Sequence, residues 1–168
     1  MSYRRNWIAI IVVILGLVMF VSVVQAQPQD IKTLAGVWKL VACDIEYQDS
    51  GKRQALFGER PRGFIIFTPG GRMMTLFTSE GRKPGDSVEQ KAELFRTMMA
   101  YTGIFRLDGD KFINRVDVSW NEAWTGTEQV RFFKFNDNRL EIMSAWIPDP
   151  FRPEHRISRG ILSWERVE

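Results

Sequence analysis

From Gly103 to Val167 the chain alternates apolar and polar residues at period two, and the alternation breaks only at short turn sequences. Ile104–Leu107 turns at Asp108-Gly109-Asp110 into Phe112–Ser119, and Glu128–Phe135 turns at Asn136-Asp137-Asn138 into Leu140–Ile147. A loop carrying Pro148, Pro150 and Pro153 then leads to a last strand near Arg156–Val167. Such runs are half-buried strands, and tight Gly/Asp/Asn turns join them as antiparallel neighbours. Upstream, three more strands are expected at Gly36–Tyr47, Gly63–Thr68 and Met73–Thr78, the last two joined by Pro69-Gly70-Gly71. The period changes once. Ser87 and Gln90 form a capping-box pattern, and Val88, Ala92, Phe95 and Met99 follow at helical spacing, widened by Leu94 and Met98. This predicts one amphipathic helix of three to four turns over 88–101, packed on the rest of the domain.

Eight antiparallel strands with one helix between the third and fourth are expected to close into an all-β up-and-down barrel, since closure removes exposed edges. A sandwich is the alternative. Inside the sixth strand, Lys134 and Glu128 belong in water, which turns Phe133 and Phe135 inward and carries Gln129 and Arg131 with them. A guanidinium facing inward needs a carboxylate, a water-filled cavity or a ligand. In the fifth strand Phe112, Val116 and Val118 place Asn114 inward beside them.

The N-terminus is separate. After Arg4 and Arg5, eighteen residues from Trp7 to Val24 carry no charge, and Val24 and Ala26 supply small side chains at alternate positions. Residues 1–26 therefore read as a secretory signal peptide, or, since eighteen apolar residues nearly span a bilayer, as an uncleaved membrane anchor. Residues 27–33 form a short linker and 34–168 the barrel domain. Two of the 23 Lys/Arg and none of the 20 Asp/Glu fall in the first 26 residues, so the remaining 142 carry a net charge near +1 rather than +3. A domain so close to neutral is not expected to bind nucleic acid. The expected location is secreted or periplasmic, or membrane-anchored with the domain outside the cytosol. Membrane contact is expected only through an uncleaved N-terminal segment.

Chemistry-bearing motifs are sparse. There is no nucleophile motif and no phosphate-binding loop, and the single His155 lies between Glu154 and Arg156 as a solvent-facing loop residue. The lone Cys43 reads as a small buried apolar residue, and no metal or cofactor is expected. Asp108-Gly109-Asp110 is a turn rather than a calcium loop. The 142 residues hold 18 aromatics, which either plug the barrel or line a pocket; an eight-stranded barrel has room for packed side chains or one small ligand.

Gly36-Val37-Trp38 resembles the Gly-x-Trp opening of lipocalins, and Arg166 in Trp164-Glu165-Arg166 resembles the basic residue that packs on that tryptophan. The order and spacing of Arg62-Gly63-Phe64-Ile65-Ile66-Phe67-Thr68-Pro69-Gly70-Gly71-Arg72-Met73, of 124–131 and of 164–166 resemble the bacterial and fungal lipocalin-like domain family over about 34–167. Export is expected from residues 1–26 alone; the resemblance implies a barrel whose interior holds a small, mostly hydrophobic molecule. Arg131, Gln129 and Asn114 would orient its polar end, a carboxylate on Arg131 being one form. Trp120, Trp124, Trp146 and Tyr101 would line or gate the mouth, with Phe133 inside. The alternatives are an isomerase or cyclase acting on such a molecule, and a non-enzymatic adaptor with a filled barrel. Members often carry histidine near the middle of the fifth strand. Asn114 and Arg115 stand there in this chain, which weakens the case for acid–base chemistry at that place.

Overall fold

The computed structural model describes residues 30–136, 138–149 and 156–168. The proposed export segment, the prolines 150 and 153, Asp137 of the second turn and His155 lie outside them. The chain runs α1 (Ile31–Leu34), β1 (Gly36–Tyr47), β2 (Arg53–Ala55), β3 (Arg62–Phe67), β4 (Arg72–Thr78), α2 (Val88–Arg96), β5 (Met98–Asp108), β6 (Lys111–Ser119), a 3₁₀ turn Glu122–Trp124, β7 (Glu128–Asn136), β8 (Arg139–Ser144), β9 (Ile147–Pro148) and β10 (Ile157–Arg166). Strands β1, β3, β4, β5, β6, β7, β8 and β10 follow one another antiparallel. Pairing of β1 with β10, from Trp38↔Arg166 to Tyr47↔Ser158, closes the ring. The short β2 and β9 lie outside the ring as additions to β1 and β10. This is the expected eight-stranded barrel with one helix between the third and fourth of its strands.

One end of the barrel is filled by rings. Phe67 stacks edge-on against Phe105 and Phe112 with centroids 5.2 and 5.4 Å apart, and Phe112 meets Phe133 at 6.2 Å. Trp38, Leu140 and Trp164 complete this packing, all essentially buried. Across the same end Arg166 holds the chain entry. Its guanidinium lies 4.0 Å over the Trp38 ring and donates to the Thr33 carbonyl at 2.8 Å, while Trp38 Nε1 donates to the Leu34 carbonyl at 2.9 Å. Gly36, at φ +135°, leaves the space: a Cβ there would come within 2.5 Å of the Arg166 guanidinium and the Glu168 carbonyl. Residues 31–33, expected as linker, instead belong to α1, capped by the Asp30 side chain.

Three expectations are corrected. The helix ends at Arg96, and Met98 to Gly103 continue as strand, because Thr78↔Met98 through Met73↔Gly103 pair with β4 and tertiary pairing overrides the helical preference of Met and Ala. The Ser87–Gln90 capping box is present, yet α2 buries none of its side chains, and Val88 and Phe95 of its apolar stripe stay exposed. Val118 faces solvent rather than the interior. The β5–β6 register slips between Thr102↔Val118 and Gly103↔Val116, so Asp117 forms a bulge and every later side chain changes face. Phe135 keeps its inward parity but lies beyond the packed end, half-exposed and tilted against Trp38.

Gly103 sits where this slip occurs. A Cβ there would strike the Arg115 carbonyl and come within 2.6 Å of Asn114 Oδ1. Gly103→Ala is expected to lower stability by about 1–3 kcal/mol, the usual cost of overpacking, read as a lower urea midpoint with unchanged slope.

Candidate ligand cavity

The other half of the barrel is hollow. A cavity of about 390 Å³ lies between the ring-packed end and the strand ends that carry Tyr47, Thr78, Ser119 and Ser144. Packed side chains and a cavity therefore share one barrel, which corrects the either-or expectation. Phe77, Phe112, Ile65, Ile142 and Trp164 form its apolar depth, and Leu56, Phe57, Met99, Ala145 and Ile147 line it toward the outside. The same parity that points Trp164 inward also brings Ser158, Gly160 and Leu162 to the wall. That period-two set was visible in the sequence, where only Trp164 and Arg166 drew notice.

The polar part comes mainly from β7. Gln129 and Arg131 face inward as their parity requires. Gln129 Nε2 donates to Thr127 Oγ1 at 3.0 Å, and Gln129 Oε1 accepts from Arg131 at 3.3 Å. Arg131 also donates to the Val130 carbonyl at 2.8 Å, and its guanidinium lies 5.6 Å from the centre of the Trp124 ring. Among the described residues no carboxylate lies within ion-pair distance of Arg131. Trp124 is placed by its 3₁₀ turn, in which the Ala123 N–H donates to the Asn121 side chain, and meets Tyr101 edge-on at 5.4 Å.

The cavity thus brings together Arg131, Gln129, Tyr101 and Trp124 of the anticipated residues. Trp120 stands behind Trp124, ring centroids 5.0 Å apart, and Phe133 belongs to the packed end. Asn114 is fully buried beside Gly103, opposite Phe105 and Gln129, and neither of its amide atoms has a protein partner among the described residues. Trp146 lies outside the wall, half-exposed, under the Arg159 guanidinium at 4.4 Å.

Two ionisable groups bear on the cavity's chemistry. Burial, and secondarily the charge of Asp44, push the Cys43 thiol up to about 12, so this wall residue stays protonated at neutral pH. Arg159, also on the wall, is paired outward with Glu46 at 2.6 Å, and Arg53 meets the same carboxylate at 3.1 Å. Burial disfavours the charge on Glu46, but the hydrogen bonds from Arg53 and Arg159 outweigh it and hold the carboxyl below its usual range. A depressed folded value contributes stability above the unfolded value, which is lost as pH falls through the folded one. Glu46→Gln should therefore flatten the acid side of the stability profile below the ordinary value of 4.5, read as urea midpoints across a pH series.

A closed antiparallel barrel packed at one end and hollow at the other, with polar groups gathered on one wall, is an architecture consistent with small-molecule binding. The Lipocalin-like domain family model matches residues 35–167, and the chain belongs to that family. No curated protein matches it significantly.

Proposed function

We propose that the barrel binds a small amphiphile, its apolar body against Phe77, Phe112 and Trp164 and an anionic head, a carboxylate in the simplest case, at Arg131 and Gln129. The observation that carries this reading is the inward Arg131 with no carboxylate partner among the described residues. A guanidinium in an apolar setting stabilises a bound anion strongly, because charge-assisted hydrogen bonds gain where water is excluded. The volume of about 390 Å³ lies within the range of ligand sites and argues against an adaptor with a filled barrel. The described wall offers Arg131, Arg159, Tyr101 and a protonated Cys43 but no carboxylate or imidazole. Retention of a ligand is therefore favoured over acid–base turnover. Domain export, with residues 1–26 cleaved or kept as an anchor, belongs to the same proposal. The mass of the N-terminal peptide isolated from the producing cell decides between cleavage and retention.

The test is competition for a fluorescent probe in the barrel. Dodecanoic acid should displace 1-anilinonaphthalene-8-sulfonate saturably, and dodecanol should do so at least about tenfold less well. Failure of both to displace the probe or bind saturably would overturn the proposal.

A further inference from the structure

The outer wall of the barrel is not uniform. On β7, β8, β10 and the second half of β1, outward side chains pair as ions: Lys134 with Glu141 at 3.0 Å, Arg139 with Glu165 at 2.7 Å, and Arg53 and Arg159 with Glu46. On β3 and β4 the outward residues are Phe64, Ile66, Met74 and Leu76, exposed by 49, 38, 53 and 51%. They are direct cross-strand partners, Phe64 with Leu76 and Ile66 with Met74. The row continues through Val37 opposite Ile66, and Ile104, half-exposed, extends it on β5. Both hairpin strands are therefore apolar on both faces, with Ile65, Phe67, Met73 and Phe77 buried inward. Strands in a barrel wall that face water alternate apolar-in with polar-out, and strands apolar on both faces are ordinarily covered on both. A contiguous exposed apolar patch of this kind marks an interaction surface.

Its border is basic. Lys39 stands between Phe64 and Glu165, Arg62 shares the outward face of β3, and Arg115 stands between Ile104 and Glu128, carboxylates that are themselves paired with Arg139 and Arg106. None of the three has an ion-pair partner among the described residues, whereas Arg72 at the same border is paired with Asp117 at 2.8 Å. We infer that this face docks on an anionic lipid surface, the apolar side chains entering the interface and Lys39, Arg62 and Arg115 meeting headgroup phosphates. Apolar area ringed by cations is what an anionic bilayer attracts. A second copy of the chain fits less well, because a two-fold interface through this patch would bring two borders with the same excess of cations together. The apolar stretch Trp7–Val24 agrees with the lipid reading. Retained in a bilayer, it leaves only residues 25–30 before α1, a reach of about 20 Å at most. Val37, where the patch begins, follows soon after. With that stretch cleaved, the patch alone makes the contact.

The test uses the full chain in vesicles, with one cysteine introduced on each wall and labelled with bimane. Cys43 is buried and its thiol is raised to about 12, so it does not take the label. In phosphatidylcholine vesicles containing phosphatidylglycerol and brominated lipid, the label in Met74→Cys should be quenched at least threefold more than the label in Lys134→Cys on the opposite wall. Adding Lys39→Glu and Arg62→Glu, or omitting phosphatidylglycerol, should remove most of that difference. Equal quenching on both walls would reduce the effect to tethering and overturn the inference, as would absence of quenching at both. Disulfide cross-linking of Met74→Cys between copies without vesicles would assign the face to self-association instead. None of these outcomes depends on what the cavity holds.

Discussion

Replacing Arg131 with methionine is expected to weaken binding of dodecanoic acid by about 10- to 100-fold, as expected for a hydrogen bond to a charged group worth ~1.5–3 kcal/mol. Binding of dodecanol should hardly change. The two ligands share their apolar body, so only the head group reports on the guanidinium. In the free protein Arg131 donates to the Val130 carbonyl and to Gln129 Oε1 and has no carboxylate partner among the described residues. Its removal therefore leaves no buried anion unpaired, which is the usual reason such a substitution unfolds a protein. Methionine fills much of the same volume without a charge, and the melting temperature should hold or rise. Gln129→Leu should cost the acid less, because Gln129 positions the guanidinium rather than carrying the charge. Calorimetric titration at fixed salt measures all six combinations of the unsubstituted protein and the two variants with acid and alcohol. An equal loss for acid and alcohol in Arg131→Met would make Arg131 a wall residue and not a head-group ligand.

The β7 face was legible because Glu128 and Lys134 fix the outward parity, and the strand pairs regularly with β6 and β8. The same reasoning failed on β6, where Val118 turned outward past the Asp117 bulge. An alternating sequence does not show an inserted residue. Met98 and Met99 fit a helical stripe and an alternating strand equally well, and only hydrogen bonding to β4 decides between them. The cavity was harder still. Phe133, Phe112 and Trp124 have the same inward character, yet Phe133 packs one end, Trp124 lines the hollow half, and Phe112 serves both. Where an aromatic lies along the barrel axis depends on strand stagger, which no local pattern encodes. The exposed pairs of β3 and β4 carried a signal that was present but unread. Gly63-Phe64-Ile65-Ile66-Phe67 does not alternate, and a non-alternating strand in the wall of an antiparallel barrel has two faces to cover.

Trp38→Ala should have the largest effect on the fold itself, a loss of about 3–5 kcal/mol in unfolding free energy. Domains of this size have about 5–15 kcal/mol in total, so the variant should sit near the limit of folding at room temperature. Three interactions fail together. The indole is 2% exposed and its removal opens a void at the ring-packed end. The bond from Nε1 to the Leu34 carbonyl, which ties α1 to the barrel, is lost. Arg166 loses the ring beneath its guanidinium and remains held only through the Thr33 and Ala35 carbonyls. These contributions separate by substitution. Trp38→Phe keeps most of the ring and removes the indole donor, and should cost about 1–2 kcal/mol; Arg166→Met keeps the stem over the ring and removes the charge, at a similar or smaller cost. Urea unfolding followed by far-ultraviolet circular dichroism gives the three values on one scale. Trp38 does not line the cavity, so each variant should bind dodecanoic acid normally at temperatures where it remains folded. An order in which Arg166→Met costs more than Trp38→Ala would mean that the guanidinium, not the tryptophan, holds this end of the barrel closed.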